Sequence, residues 1–234
     1  MVGGGEGAFI GAVHRMAARL DDHFQLVAGA LSAEPARAAR SAAALGLDPA
    51  RSYASYEQMA EATLMGIHDF PKPTLACIRG YCIGGGVNVA MSCDLRIASR
   101  DAVFAIPAAR LGLGYRYSAL KNLVDLVGPG VAKDLFFTAR RISADEAQTV
   151  GLINRVVDGE SLGALLDEYR KALAENAPLT VRAGKAIMAE ILKGSPEIDH
   201  GKCRQLILDC FQSEDYTEGR KAFMEKRKPR FLGR

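Results

Sequence analysis

The sequence predicts an α/β fold, and three observations carry that prediction. Short apolar runs of strand length, at residues 74–79, 95–98 and 102–105, alternate with longer segments of helical spacing. Three glycines, Gly84, Gly85 and Gly86, lead from one of those strands straight into a helix. From residue 161 onward the chain reads as helix, interrupted only near Asn176-Ala177-Pro178 and Gly194-Ser195-Pro196. A length of 234 residues suits one good-sized domain or two small ones, and 49% apolar against 24% charged residues allows a core of normal size.

Taken in order, residues 1–60 are rich in Ala and Gly and differ from the rest. Met1-Val2-Gly3-Gly4-Gly5-Glu6-Gly7-Ala8-Phe9 is a glycine turn with two residues of strand before it. Residues 11–20 read as a helix with Val13, Met16, Ala17 and Leu20 on one face, and 24–31 as a buried strand. Residues 34–45 read as an Ala/Arg helix capped by Ser32 and stopped by Gly46. A further helix is expected over 55–67, ended by Pro71 and Pro73.

The second part begins with the strand at 74–79 and the glycine-led helix at 84–92, followed by the strands at 95–98 and 102–105. Helices are expected at 119–127 and 131–138, separated by Gly128-Pro129-Gly130. Ser143 with Glu146 three residues later forms a capping-box signature for a helix through Thr149, and 153–157 reads as a strand.

Several function classes are disfavoured at once. A net charge of +3 is too small to argue for nucleic acid or an anionic membrane. Cys77, Cys82, Cys93, Cys203 and Cys210 are odd in number and contain no CxxC pair, so neither a disulfide framework nor a metal site is expected. A reducing, cytoplasmic setting follows. No apolar run approaches the roughly 18 residues needed to cross a bilayer, and the N-terminus lacks the pattern of a secretion signal.

The stretch around Gly84-Gly85-Gly86 carries the most chemistry. Glycine permits unusual backbone angles and lets the main chain approach a ligand closely. The free amides at a helix start point outward, and the helix dipole makes that point electropositive. An oxyanion forming on a thioester carbonyl would be stabilised there, each such donor being worth roughly 3 kcal/mol of barrier. The structural alternative is that the glycines only allow close packing of helix on strand.

The residues beyond the turn favour the first reading. Pro71-Lys72-Pro73-Thr74, Gly80-Tyr81-Cys82-Ile83-Gly84-Gly85-Gly86, Cys93-Asp94-Leu95-Arg96-Ile97-Ala98 and Phe104-Ala105-Ile106-Pro107 occur in order. Ala144-Asp145-Glu146-Ala147 and Gly151-Leu152-Ile153-Asn154-Arg155-Val156-Val157 follow, then Phe223-Met224-Glu225-Lys226-Arg227-Lys228-Pro229. Together they make residues 62–234 resemble the crotonase (enoyl-CoA hydratase/isomerase) family. The resemblance implies a ββα-superhelix core at 62–158 and a helical region at 159–234 used for trimer or hexamer contacts. It also implies coenzyme A thioesters as substrates in fatty-acid metabolism, with no further cofactor. The amide of Gly85, flanked by Gly84 and Gly86, would be an oxyanion donor. The Phe223 and Lys226 positions would contact the coenzyme A nucleotide.

Hydratases of this family use two glutamates, at the positions of Asn88 and Ala108 here. Asn88 cannot accept a proton near neutral pH, and Ala108 has nothing to offer. Two-glutamate water addition is therefore not expected. Tyr115, Arg116 and Tyr117 lie where family members line the acyl pocket and are the candidates for a replacement acid or an anion-binding group. Asp125 reads as a solvated helix carboxylate and His68 as a surface residue at a helix end.

The family would draw a second oxyanion donor from a strand ending in Ala-Gly-x-Asp. The local candidate is Val27-Ala28-Gly29-Ala30-Leu31, which puts Ala30 at the donor position and Leu31 at that of the aspartate. Residues 1–59 bear a second likeness. Met1 to Gly11, Leu26 to Ser32 and Tyr53 to Met59 resemble the Rossmann opening of the glucose–fructose oxidoreductase family, with Gly3, Gly5 and Ala8 as GxGxxG/A. That resemblance implies an atypical βαβα segment at 1–61 and a chimeric junction between 57 and 66. Three functions are therefore expected in order. The first is an acyl-CoA enzyme using enolate chemistry, isomerisation or decarboxylation included. The others are a non-catalytic acyl-CoA scaffold and a nicotinamide dehydrogenase fragment.

Overall fold

In the computed structural model, residues 1, 3–8, 13, 15, 16 and 26–234 are described. They fall into two compact units, Met1–Gly66 and Ile67–Arg234.

In the smaller unit, three chain segments are joined by backbone hydrogen bonds. Ala30 N donates to Met1 O at 2.9 Å, Gly3 N to Ala30 O at 2.7 Å and Gly5 N to Leu31 O at 2.9 Å. Gly29 bridges to Ser52 in parallel. Helix α1 (Pro35–Ala44) turns Ala38, Ser41 and Ala42 inward. Its N-cap is Glu34 rather than Ser32, whose hydroxyl accepts from Glu34 N instead. Gly46 takes the left-handed conformation just beyond, as a helix stop requires. At Gly5 a Cβ would sit 2.6 Å from Ser41 Oγ and 2.7 Å from Leu31 O, so only glycine lets α1 lie so close. Helix α2 (Tyr56–His68) begins where expected, with Ser55 Oγ accepting from Gln58 N. The helix expected over 11–20 lies mostly outside the described residues, although Val13, Arg15 and Met16 are helical. Residues 24 and 25 of the expected strand are also outside them; Gly29 and Ala30 carry its pairing.

The larger unit is built from strands that alternate between two sheets. β1 (Leu75–Ile78) and β2 (Tyr81–Ile83) follow each other directly, and the chain turns between them at Gly80, φ +61°. β3 (Leu95–Ser99) lies parallel on β1, with Leu95 opposite Leu75. β4 (Val103–Ala105) lies parallel on β2, with Val103 opposite Tyr81. One pass of strand, strand and helix α3 (Gly85–Ser92) is thus stacked on the next pair of strands. Farther along the chain, β5 (Ile142–Ser143) adds antiparallel to β4 and β6 (Arg155–Val157) adds parallel to β3.

Helix α4 (Tyr117–Thr138) contains both helices expected around Gly128-Pro129-Gly130; they meet at a break where Gly128 adopts φ +75° and ψ 162°. Helix α5 (Ala144–Thr149) starts with Ser143 Oγ accepting from Glu146 N at 3.2 Å. Only that arm of the expected capping box is recorded, since the Glu146 carboxylate lies 2.6 Å from Arg140. Helices α6 (Leu162–Glu175), α7 (Pro178–Lys193), α8 (His200–Gln212) and α9 (Glu214–Met224) complete the unit.

Alternation along β3 divides the core. Ala98 packs with Ile78, Val87, Met91, Phe104, Leu123 and Leu152 on one side, whereas Ile97 packs with Leu162 and Leu165 of α6 on the other. Arg96, also on β3, is only 4% exposed. Its guanidinium donates to the carbonyls of Leu152 at 2.9 Å and Cys93 at 2.7 Å, and reaches that of Ala90 at 3.5 Å. A buried cation is stable there because carbonyls satisfy its donors, and because they include the negative end of α3.

Candidate active site

The glycine turn is set by backbone geometry. Gly84 has φ +54° and ψ −110°, a conformation open to glycine alone. Its amide donates to Ala105 O at 2.9 Å, which ties the turn to the end of β4. A Cβ on Gly84 would have only Pro107 Cδ nearby, at 4.0 Å, so φ rather than crowding demands glycine. Gly85 and Gly86 are exposed, and a Cβ on Gly85 would meet nothing within 4 Å. The first amide to bond back along α3 is that of Asn88, to Gly84 O at 3.2 Å. The amides before it, at the positive end of the helix, lack an intrahelical acceptor by geometry.

One turn into α3, half-buried Asn88 meets Tyr115. The Tyr115 hydroxyl donates to Asn88 Oδ1 at 2.8 Å, and its ring stands edge-on to Phe136 at 5.4 Å. Burial pushes the Tyr115 phenol above its ordinary pKa; the hydrogen bond to Asn88 opposes that rise. The phenol therefore keeps its proton at neutral pH.

The remaining candidates are spread more widely. Ala108 is buried in the 3-10 turn Pro107–Leu111, where its carbonyl accepts from Leu113 N. Arg116 is the N-cap residue of α4 and is half-buried. Tyr117 is 80% exposed. Phe223, on α9, lines a groove of 640 Å³ with Ile207, Phe211, Tyr216 and Arg220, a lining that includes no residue of the glycine turn. Lys226 follows α9 with φ +54°. In the other unit, the Ala30 amide is already bonded to Met1 O. The glycine turn there borders a cavity of 470 Å³ lined by Gly5, Glu6, Gly7, Ala8, Arg15 and Ser41. His68 is exposed and pairs with Asp69, and Asp125 pairs with Lys121, as surface groups do.

Among the described residues no cluster of His, Cys, Asp or Glu could hold a metal ion, and all five cysteines are free. The structure brings together Gly85, Gly86, Asn88 and Tyr115. The sequence named each of these but not the Asn88–Tyr115 contact, which spans 27 residues and leaves no local signal. Arg96 was not singled out; its only sign is a lone charge in a strand of otherwise core-like residues.

Known proteins resemble the chain along most of its length. The family model described as enoyl-CoA hydratase/isomerase matches residues 42–234. The short-chain-enoyl-CoA hydratase of Clostridium acetobutylicum is 38% identical over 157 residues, covering 67% of this chain and 60% of that protein. The crotonyl-CoA hydratase of Syntrophomonas wolfei is 37% identical over 172 residues, covering 72% and 65%. The chain thus spans less than two thirds of the length of these relatives. The crystal structure of an enoyl-CoA hydratase from Bacillus anthracis superposes with a TM-score of 0.73 at 27% identity, over 95% of this chain and 87% of that one. Its α/β crotonase-like fold is the fold of this chain. The likeness reaches into the region read as a dehydrogenase opening, and that second resemblance, with its junction between 57 and 66, has no support. The chain belongs to the enoyl-CoA hydratase/isomerase family.

Proposed function

We propose that the chain acts on acyl-CoA thioesters by holding enolate charge on the thioester oxygen at the amide of Gly85. One observation carries this reading: Gly84 turns the chain so that exposed Gly85 and Gly86 begin α3 beside open space. The family match supports the choice of ligand. Short-chain enoyl thioesters, for which the relatives are named, are the first ligands to test. Coenzyme A is part of the substrate, and no separate cofactor is needed for this chemistry. Ala30 is left out, because its amide already serves Met1 O. Phe223 and Lys226 are assigned to the coenzyme A moiety. The exposed Met188, Ile191, Phe211 and Met224 of the C-terminal helices suit a homotrimer or hexamer that buries them. Five free thiols suit a reducing compartment such as the cytoplasm.

Calorimetric titration with acetyl-CoA and crotonyl-CoA tests the reading. Saturable binding of both is expected, and weaker binding by Gly85→Val, whose side chain fills the space before the turn. Wild-type protein that binds neither thioester refutes it. Binding without turnover of any enoyl- or acyl-CoA would instead favour a scaffold, a role suited by the absence of carboxylates at positions 88 and 108.

A further inference from the structure

The side chains beside the glycine turn limit how an enolate can be made there. Removing a proton from carbon, or from water, requires a base available near neutral pH. Asn88 is an amide and Ala108 a methyl group, and neither takes up a proton. Tyr115 holds its proton and directs it to Asn88 Oδ1. This pair can supply a proton but is poorly suited to remove one.

An enolate also forms when a group leaves without its electrons, and carbon dioxide is the simplest such group. This route needs an electron sink and a proton donor, which the Gly85 amide and the Tyr115 phenol would provide. A substrate carboxylate must enter first. A glutamate at position 88 or 108 would repel it; neutral Asn88 and buried Ala108 do not.

Building on the thioester reading above, we propose that this site decarboxylates malonyl-type CoA thioesters, with Tyr115 as the catalytic proton donor and Asn88 as its positioning residue. The bond between the α carbon and the carboxylate breaks, and carbon dioxide departs. The electron pair passes into the enolate, whose oxygen faces the Gly85 amide. The Tyr115 O–H bond then breaks and its proton goes to the α carbon, re-forming the thioester carbonyl. Asn88, by rotating its amide, presents Nδ2–H to the phenolate until water returns the proton. The net change consumes one proton and yields carbon dioxide and the shortened acyl thioester.

The test uses the full chain with malonyl-CoA and methylmalonyl-CoA. Carbon dioxide release and the acetyl- or propionyl-CoA formed are measured, and acetyl-CoA binding is measured in parallel. Wild-type protein is expected to release carbon dioxide. Tyr115→Phe should keep its circular dichroism spectrum and KM while kcat falls about 100-fold or more. Asn88→Leu should lower kcat with KM held, and Asn88→Gln should recover part of the loss. Binding of both acetyl- and malonyl-CoA without carbon dioxide release overturns this inference and leaves the thioester reading standing. Undiminished release by Tyr115→Phe overturns it as well. Binding of acetyl-CoA but not malonyl-CoA overturns this inference alone, whereas failure of both to bind removes the reading beneath it. The wild-type assay decides the reaction even if a variant does not fold.

Discussion

Two neighbouring glycines should respond to the same substitution in opposite ways. At Gly84, φ +54° and ψ −110° fall where a side chain is strained whatever the surrounding space. The nearest atom to an added Cβ is 4.0 Å away, so no clash adds to the strain. Gly84→Ala should cost about 1–3 kcal/mol for the backbone, offset by about 0.4–1 kcal/mol from a stiffer unfolded chain. Gly85 starts α3, and its added Cβ meets open space. Alanine there should leave stability unchanged or raise it by up to about 1 kcal/mol. The two variants should therefore differ by roughly 2 kcal/mol in urea unfolding, equivalent to about 4–8 °C in Tm for a chain of this size. Ligand binding should follow the reverse order. The Gly85→Ala methyl stands before the outward amides and should weaken acyl-CoA binding about tenfold, near 1.4 kcal/mol. A Gly84→Ala protein more stable than wild type, or a Gly85→Ala protein less stable than Gly84→Ala, would refute the assigned turn geometry.

Other substitutions test the packing that supports the site. Arg96→Met removes the donors of the Leu152 and Cys93 carbonyls and should cost about 1–3 kcal/mol per orphaned acceptor in chemical denaturation. Phe104→Ala, at a side chain 2% exposed in the main core, should cost about 3–5 kcal/mol by the same measurement. Glu190 on α7 is held by Lys193 and Lys202, and its pKa is lowered from 4.5 to about 2 by them and by the Asp199 amide. Its folded pKa lies below its unfolded value, so the stability it contributes is full above 4.5 and is lost as pH falls toward about 2. Glu190→Gln should thus lower the urea midpoint at neutral pH and match wild type below pH 2, as fluorescence-monitored unfolding at a series of pH values can determine.

Sequence patterns revealed the features that depend on near neighbours. The apolar runs at 95–98 and 102–105 emerged as β3 and β4, and Ser143 caps its helix three residues on, as its spacing requires. β2 escaped notice because only three residues separate Gly80 from Gly84, too few to show a period. The pairing of Tyr115 with Asn88 depends on how α3 meets the loop before α4, and no sequence window contains both. Glu146 illustrates competition between local and long-range partners: the capping signature was present, but Arg140 took the carboxylate. The opening glycines misled for a related reason. Gly3 and Gly7 do turn the chain, and Gly5 does admit a close helix, but such a segment states a packing need and not the ligand.

Helix α3 is an eight-residue element, about 12 Å long, and a peptide of that length would not hold its shape in water. Here it is pinned at both ends, by the Gly84 amide on β4 and by the Arg96 guanidinium beneath its last turn. A rivet fixed at head and foot cannot rock when charge arrives at its head. Under the proposed function, the dipoles that would face a substrate oxygen are therefore aligned before the substrate comes, and little energy would be spent on moving them. Loosening the foot should consequently blunt the chemistry at the head, across a helix whose own residues are untouched.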